Sequence, residues 1–196
     1  MRVLNELALI VTTTVAIVCV LVPGIRGAQP NAGADVALRH FENNVADYLA
    51  LRQRAATSVH VPTITSDPDA LLMSVNQLAY RIRAARPHAR QGDVLSSDIA
   101  RIFCNRIQNA LRERGISSSE QRARLREHTS ASSSDTMKVN GRFDWGATRE
   151  TPTEILAVLP VLPDPLEYKL VGRALLLVDV EADLVVDILA DVLPAD

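Results

Sequence analysis

Aromatic residues are scarce in this chain: one tryptophan, three tyrosines and three phenylalanines make up 4% of its 196 residues. Single-stranded nucleic acid is held by bases stacking on aromatic rings between basic side chains. Phe103 is the only ring within the arginine-rich stretch, so nucleic acid is not expected as a partner. The four histidines (His40, His60, His88 and His128) lie at least twenty residues apart, which excludes the HExxH and HxxxH spacings of a local zinc site. None of the eight glycines forms a phosphate-cradling loop, and no serine sits in a GxSxG elbow. Only two cysteines are present, Cys19 and Cys104. If the segment carrying Cys19 is removed, no internal disulfide is possible and Cys104 is a lone thiol. No catalytic residue and no cofactor is indicated.

Long apolar runs are also absent, with one exception. Leu7 to Val22 carries no charge, Arg2 precedes it, and Pro23-Gly24 breaks any helix before the small residues Gly27 and Ala28. This order is that of a signal peptide over residues 1–28. The alternative is an uncleaved anchor over residues 7–22, although a bilayer span takes about 20 apolar residues. Ile17-Val18 before Cys19 argues against a lipid-modified cysteine. The protein is therefore expected to be exported, to the periplasm if cleaved and to the inner-membrane surface if anchored.

The remainder suits one α+β domain, with a helical region over 29–128, a Ser/Thr-rich linker over 129–136 and a β-rich part over 137–196. Leu38, Phe41, Val45, Tyr48 and Leu49 form one stripe of a helix over Asp35 to Ala56. Asp67 and Pro68 are the N-cap and first position of a second helix, with Leu71, Val75, Leu78 and Ile82 buried, and Arg86-Pro87 ends it. A third runs from Ser97 to near Gly115, with Ile99, Phe103, Ile107 and Ala110 inward and Cys104 at the edge of that face as a small hydrophobe. Ser117 and Glu120 make a capping box for a short fourth helix through Glu127. Further on, Met137 to Phe143 is extended around an Asn140-Gly141 turn, and one or two helical turns follow Thr151. An antiparallel β-meander closes the chain, its first hairpin turning at Gly172-Arg173. Ala174 to Val178 is apolar throughout, as a strand covered on both faces is. Helices must cover so small a sheet.

Charge is unevenly distributed. Eleven arginines and four acidic residues lie between Arg81 and Arg126, whereas eleven acidic and three basic residues lie between Asp144 and Asp196. The two regions would attract each other within one fold, or mark faces with different partners. Arg122, Arg124 and Arg126 form a candidate patch for an anionic lipid or envelope polymer. Asp179, Glu181 and Asp183 alternate, which on an extended strand puts them about 7 Å apart on one face. With Asp187 they are candidate ligands of a hard cation, joined by His88 or His128 if the fold brings one close. The competing reading is a polar hairpin end that keeps the sheet soluble.

Two segments, LEYKLVGRALLLVDVEADLVVDIL (Leu166 to Leu189) and ARPHARQGDVLSSDIARIF (Ala85 to Phe103), resemble an uncharacterised family of bacterial exported proteins. The resemblance implies export and this fold, and it brings no catalytic residues. Glu181 stands where the resemblance would place a histidine. The hairpin alone is also similar to small periplasmic domains of nickel and cobalt homeostasis. Two functions follow: a non-enzymatic envelope module binding a protein, lipid or polymer, or a metal-dependent or hydrolytic module using the acidic hairpin. The protein recovered from the cell envelope without reductant is expected to show an intact mass beginning at Ala28 or Gln29. A full-length mass in the membrane fraction would establish the anchored form instead.

Overall fold

The computed structural model describes residues 32–57, 67–115, 137–147 and 150–193. All belong to one unit spanning Asn31–Asp196. The expected leader, the helix from Ser117 to Glu127 and the 129–136 connector lie outside the described residues, as do Arg122, Arg124, Arg126 and His128. Three long helices and a three-stranded antiparallel sheet make the fold α+β. No described helix is long and apolar enough to cross a membrane.

Helix α1 spans Ala32–Ala56, starting three residues before Asp35, and buries Ala37, Phe41, Val45 and Tyr48. Helix α2 spans Pro68–Ala85. The Asp67 carboxylate accepts the Asp69 N–H at 3.0 Å, satisfying one of the amides that a helix start leaves open. Its inward face is Ser74, Leu78, Ala79 and Ile82, with Leu71 54% exposed. Leu71 lies on the expected side of the helix, but the first turn runs past the edge of the core and leaves Leu72 and Met73 exposed as well. Helix α3 spans Ser97–Glu113 and buries Ile99, Phe103, Ile107 and Leu111 at successive turns. Ala110 is only partly covered, and Leu111 takes the inward place expected for it. The chain leaves α3 through Gly115 at φ +71°, a conformation that glycine adopts without penalty.

After a 3₁₀ turn at Trp145–Ala147 and a four-residue helix α4 at Thr153–Leu156, strands β1 (Leu166–Val171), β2 (Ala174–Asp179) and β3 (Leu184–Leu189) pair in that order. Val171 faces Ala174 across the Gly172-Arg173 turn, where only Gly172 has positive φ, as a two-residue hairpin of the expected kind requires. Every residue of β2 is buried. Leu175 and Leu177 join the main core beneath the helices, while Leu176 and Val178 meet Phe143, Val171 and Val185 on the opposite face.

That second cover is the segment 137–147. It runs along the outer edge of β3, with bonds from Asn140 N–H to Val185 C=O (2.9 Å), Val185 N–H to Gly141 C=O (3.0 Å) and Phe143 N–H to Asp183 C=O (2.7 Å). A Cβ at Gly141 would sit 2.7 Å from the Lys138 carbonyl oxygen, so this turn needs glycine.

Phe103 is fully buried and meets both Phe41 and Tyr168 edge to face, at 5.3 and 6.1 Å between centroids. Phe103→Ala is expected to lower stability by about 3–5 kcal/mol in urea unfolding, since a cavity at this junction has walls on both layers. A loss below about 1 kcal/mol would show that the three rings do not join helix and sheet.

Candidate functional site

The acidic residues of the hairpin do not share one face. Asp179 ends β2 and is fully buried. It accepts from the Tyr48 hydroxyl (2.9 Å) and Arg52 Nε (2.7 Å) of α1 and from the Ala182 N–H (3.1 Å) in its own turn. Arg52 also pairs with the exposed carboxylate of Glu181. Tyr48 and Arg52 stand one helical turn apart, so one face of α1 delivers both donors. Arg86 completes the corner by packing its guanidinium 5.3 Å from the Tyr48 ring centre and donating to Val186 C=O at 3.2 Å. Asp183 turns the other way, at φ +46°. It accepts from Trp145 Nε1 at 2.5 Å and lies 3.8 Å from Arg142.

Asp187 has a third direction, set by an irregularity in the sheet. Leu177 pairs with Asp187 and Val178 with Val185, so Val186 is an extra residue in β3. Such a bulge makes two successive side chains face the same way. Val186 and Asp187 both face the helical layer, where strict alternation would send Asp187 to the other side. The buried Asp187 carboxylate accepts the N–H groups of Gly92, Val94 and Leu95 at 2.9, 2.7 and 2.7 Å, fastening the loop between α2 and α3. The four carboxylates thus serve three separate junctions. His88 is exposed in the α2–α3 loop, and among the described residues no three His, Cys, Asp or Glu side chains gather as a metal site would need.

Among the described residues of the arginine-rich stretch, Arg81, Arg90, Arg101 and Arg112 are exposed and others are tied into the fold. Arg83 and Arg86 bond the carbonyls of Asn140 and Val186, and Arg106 bonds that of Val158. Arg114 reaches Glu154 at 3.7 Å. The acidic hairpin is met mainly from outside the stretch, by Arg52 and Arg142, while Arg173 pairs with Asp191. Cys104 is half-buried against the core; burial, with Asp191 nearby, pushes its thiol up.

Two hollows of similar size are open at the surface: one of about 520 Å³ between the start of α1 and α3, lined by His40, Asp98 and Arg101, and a more apolar groove of about 490 Å³ between β1 and the turn that follows α4. Four consecutive residues, Leu166 to Lys169, line it. Residues whose side chains alternate between the two faces therefore all border it, which places the groove along the strand's free edge. Leu156, Val161 and Leu162 form its apolar wall, and Val161 is 97% exposed. Glu150, Glu167 and Lys169 supply its charge, with Lys169 2.5 Å from Glu167. A smaller apolar hollow of about 230 Å³ lies on the other side of Val161, against α1. Thr151 closes one end of the groove: its buried hydroxyl donates to Tyr168 C=O (2.9 Å) and accepts Leu170 N–H (3.1 Å). Pro163 C=O accepts Leu166 N–H at 3.0 Å at the other. Neither the hydroxyl of Thr151 nor the bulge at Val186 announces itself in the sequence, because both roles depend on partners far along the chain.

No protein-family model, no curated protein and no solved structure matches this chain.

Burial, and then the neighbouring Asp179 carboxylate, hold the Tyr48 phenol well above its usual range, and burial does the same for Tyr168. The folded chain keeps both protons where an unfolded tyrosine loses its own, near about pH 10. Stability from these groups is complete below that pH and falls as pH rises above it. Melting temperature is expected to drop between about pH 9.5 and 11, and less steeply in Tyr48→Phe. Equal slopes in the two proteins would show that Tyr48 ionises freely in the fold.

Proposed function

We propose that this protein is an exported, non-enzymatic binding module of the bacterial envelope, and that its ligand lies in the groove along β1. The observation that carries this reading is the contrast between the carboxylates and the groove. The acidic side chains that chemistry would use are spent on holding layers together, Asp179 and Asp187 beneath a closed surface. The groove instead leaves apolar side chains open beside a few charges, the composition of a recognition site. Export is supported by the order of charge, apolar run, helix breaker and small residues over 1–28, and by the resemblance of Leu166–Leu189 and Ala85–Phe103 to exported proteins. The periplasm is the compartment for the cleaved chain; the anchored form would hold the same groove at the inner-membrane surface.

A fluorescein-tagged pool of blocked apolar heptapeptides, titrated with the full chain and followed by anisotropy, tests the groove. Saturable binding is expected, weakened about tenfold or more by Val161→Asp, because a charge on the wall must be desolvated as the ligand seats. Val161 is exposed, so melting of the variant should match the parent. Undiminished binding by a folded Val161→Asp protein would remove the groove from the account.

A further inference from the structure

The edge of β1 carries more information than the groove's shape. In an antiparallel pair, alternate residues send both backbone groups to the neighbouring strand, and the residues between send theirs outward. Pro165 C=O accepts Val180 N–H at 3.0 Å, so odd-numbered positions of this segment face β2. Leu166, Tyr168 and Leu170 face outward, as the bonds of Thr151 to Tyr168 C=O and Leu170 N–H confirm. Leu166 N–H is taken by Pro163. Within the groove this leaves Leu166 C=O and Tyr168 N–H, which meet no partner among the described residues. The opposite edge of the sheet is occupied by segment 137–147, and among the described residues no strand pairs with the β1 edge.

We propose that the groove takes an extended peptide as a fourth strand of the sheet, bonded through Tyr168 N–H and Leu166 C=O, with the sequence pattern apolar–basic–apolar. The proposal rests on the groove reading above and gives it a mechanism and a ligand class. Strand addition of this kind draws affinity from backbone bonds and selectivity from alternate side chains. In the antiparallel direction of the existing sheet, the middle peptide residue lies opposite Glu167. The residue before it gives its C=O to Tyr168 N–H, and the residue after it gives its N–H to Leu166 C=O. The side chains of those two flanking residues fall on the Leu166 face, against the wall of Leu156, Val161 and Leu162. The middle side chain falls beside Glu167, whose side chain is 51% exposed and already pairs with Lys169, so the excess charge of the rim is that of Glu150, which has no ion-pair partner among the described residues. That excess of negative charge selects a basic residue. It also disfavours a second copy of the chain, because a two-fold pairing through the same two groups sets Glu167 against its own duplicate, and like charges directly opposed repel. Thr151 and Pro163 limit the paired stretch to about three residues.

The test uses the full chain, labelled with ¹⁵N, and the blocked peptide Ser-Val-Lys-Val-Ser. Binding is expected to slow exchange of the Tyr168 amide about tenfold or more at saturation. Methylating the nitrogen of the second valine is expected to weaken binding about tenfold, and methylating that of the lysine less than about threefold, since in a paired strand successive N–H groups point to opposite sides. Replacing lysine by glutamate should weaken binding about as much as the valine methylation. If the peptide binds with Tyr168 exchange unchanged, or with both methylations equivalent, strand addition is wrong while the groove remains the binding place. If neither this peptide nor the apolar pool binds, both readings fall together.

Discussion

Strand β2 has no exposed residue, and an apolar strand of that kind has to be covered on both faces and bonded along both edges before it is stable in water. Each other part of the fold can be understood as one of these four provisions. The three long helices supply the larger cover, through Phe41, Ile82, Phe103 and their neighbours. Segment 137–147 supplies the smaller one, through Phe143. β1 and β3 supply the edges. The requirement then passes outward: β3 gains a partner in Asn140 to Phe143, whereas β1 is stopped by the hydroxyl of Thr151 and by its own proline-rich approach. The groove is what remains where the last edge is only partly closed.

Packing alone would let the layers slide, and the buried carboxylates set their position. Asp179 takes hydrogen bonds from side chains of α1, and Asp187 takes them from backbone amides of the α2–α3 loop. Such groups are costly to bury unless satisfied, so each carboxylate admits only the arrangement that brings its donors into place. The carboxylates that looked available as a metal cluster are in this sense directional pins between layers. Their alternation along the chain is undone by two local events: the turn at Asp183 with its positive φ, and the extra residue at Val186.

The features that were legible beforehand are those governed by near neighbours. Asp67-Pro68 starts α2, Gly172-Arg173 turns the hairpin, Asn140-Gly141 turns the covering segment, and the 3.6-residue stripes of α1 and α3 pick out Phe41, Val45, Phe103 and Ile107. What escaped notice depends on contacts across long stretches of chain. Leu71 follows its stripe yet is exposed, because periodicity does not say where a core ends. Tyr48 and Arg52 read as ordinary helix residues until Asp179 arrives, and Thr151 reads as a helix start until β1 lies beside it. The free groups of the β1 edge were equally hidden, since alternation names two sets of backbone groups without saying which set already has partners.

The junctions that Asp179 makes with α1 and Asp187 with the α2–α3 loop join residues roughly a hundred positions apart, in addition to the packing of the helices on one another. Synthesis therefore delivers the helices well before the strand they must lie against. Until Asp179 has emerged α1 lacks its anchor, and until Asp187 has emerged the α2–α3 loop lacks its own; helices draw most of their stability from such packing. The core as a whole therefore closes only once nearly the whole described chain is present.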